Sequence, residues 1–172
     1  MTTTRIAAET GVAVGTIYRY FDGREALLLS AYDATVARIV ASCGAALADI
    51  DPATAPADAA RALLGLYLDT AEAIPSHSGL LGAMRAIRPI EADQSGSNEA
   101  SIVGDLLAPF LERFAGSAAP DPLRLRFMNV LLGTLVDLYL VTPDAQTRAR
   151  LRAEIEAHML LALERATDPI SE

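Results

Sequence analysis

The chain has few of the residues that secreted, metal-binding and membrane proteins depend on. Its single cysteine, Cys43, leaves no partner for an internal disulfide. The two histidines, His77 and His158, lack the neighbouring Cys, His or carboxylate spacing of a metal site. The longest apolar run, Phe127 to Val141, is shorter than the roughly 20 residues of a membrane span. No basic and then apolar signal segment opens the chain. We therefore expect a cytoplasmic protein with no membrane segment, no metal and no cofactor.

Lysine is also absent, so all 14 basic residues are arginines, against 22 acidic residues and a net charge of −8. This balance disfavours a broad nucleic-acid-binding surface, because phosphate contacts need clustered cations. The first 24 residues are the exception, since three arginines and two acidic residues give them a net charge of +1. Any surface that binds a polyanion should therefore lie at the N-terminus.

Helical periodicity runs through almost every segment, and no strand-like alternation or internal repeat interrupts it. The predicted fold class is all-α. Prolines and small polar residues mark the predicted ends of the helices, and a Thr-Pro pair should cap the last one. The expected helices span 24–50, 60–74 between Pro56 and Pro75, 76–88, 102–114 with a kink at Pro109, 122–141 and 143–166.

The most informative segment runs from Thr2 to Phe21 and has the pattern of helix, turn and helix. Gly11 can supply the positive φ of a tight turn, and Val12 should be buried beneath it. In the second helix, residues 14, 17 and 21 are apolar and spaced to pack inward. The side chains left outside combine hydroxyls with a guanidinium, which suits a helix lying in the major groove of DNA. Asp22 and Glu25 have the spacing of a capping box for the next helix.

This segment resembles the helix-turn-helix signature of the TetR family of transcriptional regulators. The matching residues are Ile6-Ala7, Gly11-Val12, Val14 to Phe21, Arg24-Glu25 and Leu27-Leu28. The resemblance implies a TetR-like all-α protein with a DNA-binding domain in residues 1–28 and a helical ligand-binding and dimerisation domain in residues 29–172. It also implies DNA contacts by the following residues: Thr2, Val14, Gly15, Thr16, Tyr18, Arg19, Tyr20 and Arg24.

Two departures from the family pattern lie at or beside this motif. The family has a helix before it that this sequence starts too late to include, so we expect either a start assigned downstream of the true one or a DNA-binding domain truncated at its N-terminus. Ala13 stands where the family usually has a serine, which removes one hydroxyl that could contact DNA.

The second half of the chain offers candidate ligand and interface residues. Arg126, Asn129, Gly133 and Asp137 form a polar and small stripe on an otherwise apolar helix. This stripe could lie in a dimer interface, face solvent, or line a ligand cavity. If the stripe lines a ligand cavity, that cavity should be an apolar effector pocket with few polar groups. Its candidate lining residues are Tyr67, Met84, Phe110, Phe114, Phe127, Asn129 and Asp137.

No nucleophile elbow, phosphate-binding glycine loop, zinc motif or pair of carboxylates at catalytic spacing is present, so the sequence does not predict an enzyme. The predicted function is that of a homodimeric repressor that binds a double-stranded DNA operator and is released by a small apolar or aromatic effector. The last two helices should form the dimer contact. The alternative is a helical ligand-binding or dimerising protein that has lost DNA binding.

Overall fold

The computed structural model of the chain describes Thr4, Gly11 and residues 13–89, 102–114 and 122–167. Within these residues the protein is all-helical and contains no strand, which confirms the predicted fold class. A π-helical turn at Val103–Leu107 precedes the fifth α-helix. The α-helices are α1 (Val14–Tyr20), α2 (Arg24–Asp49), α3 (Pro56–Glu72), α4 (His77–Arg85), α5 (Ala108–Phe114), α6 (Pro122–Val141) and α7 (Ala145–Thr167).

The long helix α2 confirms the stripe expected from the sequence. Its buried residues repeat every three or four positions along one side, which faces the interior. At its end, the guanidinium of Arg113 in α5 donates hydrogen bonds to the carbonyls of Leu47, Ala48 and Ile50. These carbonyls have no partner inside the helix, so Arg113 caps α2 and fixes α5 against its end.

By length and composition alone, α2 is the one helix among the described residues that could cross a membrane. The core helix of a soluble protein passes the same test. Seven of its residues are buried, and it packs against α3 and α4. One such helix is weak evidence of a membrane span.

Several predicted helix ends needed correction, among them both ends of α3, which spans Pro56–Glu72 rather than 60–74. Helix α4 is shorter than the expected 76–88. The segment before Pro109 is π-helical, in keeping with a proline that cannot donate to the carbonyl four residues earlier. Helix α7 begins two residues after Pro143, because the Asp144 carboxylate accepts the Thr147 N–H at 2.6 Å and so caps the helix. The Thr142 hydroxyl, expected to cap α7, instead donates back to the Leu138 carbonyl in α6.

Helices α6 and α7 form the antiparallel pair that the sequence predicted. A short turn joins them, and Arg124 near the start of α6 donates to the Arg165 carbonyl near the end of α7. Three ion pairs join α3 to α7, each between an arginine and a carboxylate: Arg61–Glu156, Asp69–Arg152 and Glu72–Arg148. The core lies inside this frame and is built mainly from α2, α3, α5 and α7 at one end and from α2 and α4 at the other.

Candidate nucleic-acid interface

Helix α1 is seven residues long, and Ile17 is its one buried side chain. Val14 and Phe21, on the same side, are half-buried. The three residues are spaced by three and four, so they hold one side of the helix against the protein as the sequence predicted. The rest of α1 is left facing outward.

The outward face of α1 carries the residues that the resemblance assigned to DNA. Tyr18 is 56% exposed and Tyr20 is 72% exposed. Gly15, Thr16 and Arg19 are exposed as well. A Cβ added at Gly15 would meet nothing within 4 Å, so this part of the helix surface is open. The face thus offers a guanidinium and three hydroxyls, all able to reach phosphates and base edges.

The turns on either side of α1 fix its direction. Gly11 has a φ of +69°, which confirms the predicted positive φ of the turn before the helix. At the N-terminus, the Ala13 carbonyl accepts the N–H groups of Thr16 and Ile17, and no side chain caps the helix. Here the missing hydroxyl at position 13 removes a helix cap as well as a candidate DNA contact.

Helix α2 starts directly after α1, and the expected capping box does not form. The N-cap residue is Gly23, with a φ of 100°, and no side chain makes a cap hydrogen bond. The Gly23 N–H donates to the Phe21 carbonyl at 2.7 Å, which closes a very tight turn. Such a turn needs the conformational freedom of glycine rather than a capping carboxylate from Asp22. Arg24 is therefore exposed at the first position of α2, beside the end of α1.

One predicted DNA contact, Thr2, lies outside the described residues, as do Ile6, Ala7 and Val12. The other predicted contacts are all at least partly exposed and lie on α1 or at the start of α2. The fully exposed ones make up what we call the recognition face, which leaves out the inward-facing Val14: Gly15, Thr16, Tyr18, Arg19, Tyr20 and Arg24.

The structure separates the predicted effector residues into three places. Phe110 and Phe114 stack on each other at 5.1 Å and pack into the core between α2, α3 and α7. Phe127 is 63% exposed on α6, so its grouping with a buried pocket was wrong. The hydrophobic spacing that suggested one pocket identifies the buried side of each helix, but it does not identify the neighbour that each side meets. Asn129 is half-buried on α6, about two turns before Asp137.

Tyr67, Met84 and Asp137 do come together. Met84 is fully buried against α2. Asp137 accepts a hydrogen bond from Arg85, the next residue along α4, at 2.5 Å. Burial raises the pKa of the Tyr67 hydroxyl far above its usual value, and the nearby Tyr32 and Asp137 raise it further. These three predicted residues therefore lie near a common centre between α2, α3, α4 and α6, with Met84 linked to the other two through Arg85.

This centre also contains charged and aromatic residues that the sequence did not reveal. Arg88 pairs with Asp33 through its two terminal guanidinium nitrogens: Nη2 donates to Oδ1 at 2.5 Å and Nη1 donates to Oδ2 at 3.4 Å. The guanidiniums of Arg85 and Arg88 lie 6.0 and 5.7 Å from the centre of the Tyr32 ring. These partners are more than 50 residues apart in the chain, so no local pattern could have found them. We call the set the polar centre: Tyr32, Asp33, His77, Arg85, Arg88 and Asp137.

His77 is the least satisfied member of the polar centre. Its ring stacks on Tyr32 at 5.9 Å, nearly parallel, and the residue is buried. Among the described residues, its Nδ1 atom has no hydrogen-bond partner. Burial lowers the pKa of this imidazole, so the neutral form is favoured.

The outer side of α6 exposes several large apolar residues. Leu123, Phe127, Leu138 and Val141 are all largely exposed, and Leu161 on α7 is too. Their spacing along α6 keeps them on one side of the helix, opposite the residues that pack on α7 and α3. We call the four α6 residues the outer stripe. Neighbouring apolar side chains exposed in this way are typical of a protein contact surface.

The cysteine and the potential metal ligands of the described residues decide whether reactive or metal-binding sites are present there. Cys43 is buried in α2, and burial raises the pKa of its thiol to about 11. In the described part of the chain, no group of three or more His, Cys, Asp and Glu residues could hold a metal ion.

Comparison with known proteins bears on the recognition face directly. The model of the family described as bacterial regulatory proteins, tetR family, matches residues 1–31, which include α1 and the start of α2. No curated protein and no solved structure matches the chain. The family match covers the first 31 of 172 residues, and together with the all-helical architecture it supports a DNA-binding transcriptional regulator of the TetR family.

Proposed function

We propose that the protein is a homodimeric repressor that binds a palindromic DNA operator and is released by a small apolar or aromatic ligand. The observation that carries the proposal is the recognition face, since it combines exposed tyrosines and arginines within the segment that matches the family. In this proposal, residues 1–28 form the DNA-binding domain and residues 29–172 form the ligand-binding and dimerisation domain. Its place of action is the cytoplasm.

DNA recognition would be performed by α1 lying in a major groove. The tyrosine rings and hydroxyls can contact base edges and sugars, while Arg19 and Arg24 can reach phosphates. Gly15 would let the helix approach the backbone closely, because its Cβ position is open. Thr2 completes the proposed set of contacts at the start of the motif.

Dimerisation through α6 and α7 is supported by the outer stripe. Each exposed side chain in it would lose contact with water if a second copy packed against the same face. A twofold dimer then presents two recognition faces, which must meet half-sites about 34 to 36 Å apart for successive major grooves. Phe127, first assigned to a ligand pocket, becomes a central interface residue in this arrangement.

The effector site is proposed at the centre near which Tyr67, Met84 and Asp137 lie. Buried apolar residues of α2 and α4 pack beside these three residues, and the unpartnered His77 Nδ1 offers one hydrogen bond to a ligand. Release would follow if the ligand binds more tightly to a form of the dimer whose recognition faces are wrongly spaced.

The test of DNA binding begins with selection of high-affinity sites from random double-stranded DNA. The selected site is then titrated by fluorescence anisotropy at two salt concentrations, with a scrambled site as the control. We expect a palindromic site, specific binding and a strong dependence on salt. If selection gives no consensus and the two DNAs bind alike, the proposal fails and the chain is a ligand-binding or dimerising protein.

The effector step has its own measurement. A library of small aromatic and apolar compounds is screened for compounds that lower the anisotropy of the protein–operator complex. A hit should lose potency in Tyr67→Phe or Met84→Ala and keep it in Met128→Ala, a substitution of a buried methionine in α6. Equal potency in all three variants would place the effector elsewhere.

A further inference from the structure

Helix α4 is one of the elements that join the two functional surfaces within the described part of the chain, beside α3 and the π-helical turn at Val103–Leu107. It packs extensively on α2, which follows directly from the recognition helix, and also on α6, which carries the outer stripe. Helices α2 and α6 make only slight contact with each other. Among the connecting elements, α4 packs on α2 and α6 most extensively, so it contributes to the position of one relative to the other.

Arg88 is attached to the end of α2 that lies near the DNA-binding segment. It pairs with Asp33 through both terminal guanidinium nitrogens and lies against the Tyr32 ring. Asp33 is nine residues after the start of α2, which places the pair about 13 Å along the helix from Arg24. The contact thus holds α2 within its first three turns rather than at its far end.

Arg85 makes the corresponding attachment to α6. Its Nε donates to Asp137 at 2.5 Å, and its guanidinium also lies against the Tyr32 ring. Asp137 immediately precedes Leu138 of the outer stripe. One aromatic ring, Tyr32, therefore touches both arginines, and one short segment of α4 and its C-terminal turn is linked to both surfaces.

These two ion pairs are shielded from water more than the others that join helices. The Arg88 and Asp33 side chains are 16% and 34% exposed, and those of Arg85 and Asp137 are each 22% exposed. By contrast, the Asp69–Arg152 pair between α3 and α7 has a carboxylate that is 63% exposed. Shielded, bidentate or short pairs restrict geometry more than exposed ones, whose contribution is close to zero.

We propose that Arg85 and Arg88 are positioning residues for operator binding: through Asp137 and Asp33 they fix α2 relative to the dimer surface and so set the distance between the two recognition faces. This inference rests on the proposed function, because it requires a homodimer that binds two half-sites. It concerns residues far outside the recognition face, and it assigns the selection of half-site spacing to them.

The physical reason is that a dimer binds its operator tightly only when both faces match the grooves at once. If α2 is loosely held, the distance between the faces becomes broadly distributed, and DNA binding must then order it. The cost appears as weaker binding to the correct spacing and weaker rejection of the wrong one. Loss of a contact that merely stabilises the fold would not alter the preference between spacings.

The first experiment compares four variants, Asp33→Asn, Arg88→Gln, Arg85→Gln and Asp137→Asn, with the wild type on the selected operator. Each protein is also titrated on operators with one base pair added or removed between the half-sites. We expect roughly two- to thirtyfold weaker binding to the selected operator and a smaller ratio between correct and altered spacings. The control is Asp69→Asn, which removes an ion pair of α3 and α7 and should behave as wild type.

A second experiment measures the distance between the two recognition faces of the dimer in the absence of DNA. A spin label is attached at Asp22→Cys, in the exposed turn after α1, with the buried Cys43 replaced by alanine. Pulsed electron resonance then gives the distance distribution between the two labels of the dimer. We expect a broader distribution in Asp33→Asn and Asp137→Asn than in the wild type and in Asp69→Asn.

The outcomes separate this inference from the proposed function. If the wild type selects no operator, the proposed function has failed first. If the wild type binds but the four variants keep both its spacing preference and its narrow distance distribution, the positioning role is overturned. It is also overturned if weaker binding comes entirely from dimer dissociation, which sedimentation of each variant measures at the concentrations used.

Discussion

Helices α1 and α6 both expose large side chains, and these side chains differ in their chemistry. On α1 the exposed side chains are Tyr18 and Tyr20, with Arg19 between them. On α6 they are those of the outer stripe, of which Leu123 is 72% exposed, as much as Tyr20. Every large side chain exposed on α1 ends in a hydroxyl or guanidinium, whereas those of the outer stripe end in hydrocarbon.

The degree of exposure therefore does not identify the partner, but the chemistry at the tips of the side chains does. A DNA groove presents phosphates and hydrogen-bonding base edges, which match hydroxyls and guanidiniums. A second protein surface made of the same hydrocarbon groups matches the outer stripe. The comparison assigns α1 to DNA and α6 to the dimer, and each assignment can be broken by a separate substitution.

The largest effect is expected from a charge placed in the outer stripe. Phe127→Glu would bury a carboxylate with no partner in the proposed interface, which is costly for any apolar contact. We expect the dimer dissociation constant to rise at least about a hundredfold, as measured by sedimentation velocity over a range of concentrations. Operator binding should fall with it.

The control for this change is Ala62→Glu, which adds the same charge to an exposed position of α3 outside the proposed interface. It should leave the dimer intact. If Phe127→Glu also dimerises with wild-type affinity, the outer stripe is not the dimer interface. The assignment of α6 to the dimer then fails.

A smaller effect is expected from the recognition face. Tyr18→Ala and Tyr20→Ala should each weaken binding to the selected operator about tenfold, because each removes a ring and a hydroxyl from the groove. Dimerisation should be unchanged. Tyr18→Phe and Tyr20→Phe keep the ring, so anisotropy titrations of the four variants separate stacking from hydrogen bonding. Unchanged affinity in an alanine variant would remove that tyrosine from the contacts.

Arg19 tests the electrostatic part of the same face. Arg19→Gln should weaken binding to all DNA sequences and lower the slope of log affinity against log salt by about 1, as expected for one lost phosphate contact. The matched control is Arg38→Gln, at an exposed position of α2 farther from the recognition helix. Equal slopes for the two variants would show that Arg19 does not contact the phosphate backbone.

The sequence predicted the helices well because their ends depend on local chemistry. Helix α6 has the predicted bounds, and α2 ends one residue from its prediction, where Asp51-Pro52 breaks the pattern. The start of α7 was missed because two capping residues, Thr142 and Asp144, flank Pro143, and only the structure shows which of them caps the helix.

The candidate sites divide in the same way. The recognition face was predictable because its residues lie within one helix and the first residue of the next, so spacing determines which point outward. The polar centre was not, because Arg85 and Arg88 find their carboxylates 52 and 55 residues away. Which helices become neighbours depends on packing over the whole chain, and periodicity within a helix does not specify it.

The smallest expected effect is a response to acid that arises in the interior and not at either exposed face. Burial lowers the pKa of His77 below its ordinary value of 6.5, so the unfolded chain binds a proton more readily than the folded one. Stability from this group is therefore present above pH 6.5 and is lost as the pH falls from there through the folded-state pKa.

His77→Phe keeps a ring against Tyr32 but cannot take up the proton, so its free energy of unfolding should depend less on pH below 6.5 than that of the wild type. Urea unfolding followed by circular dichroism at a series of pH values measures this difference. His158→Gln, which changes the exposed histidine of α7, should retain the wild-type dependence. If His77→Phe retains it as well, the acid response belongs to the carboxylates that all three proteins share, and His77 takes no part in it.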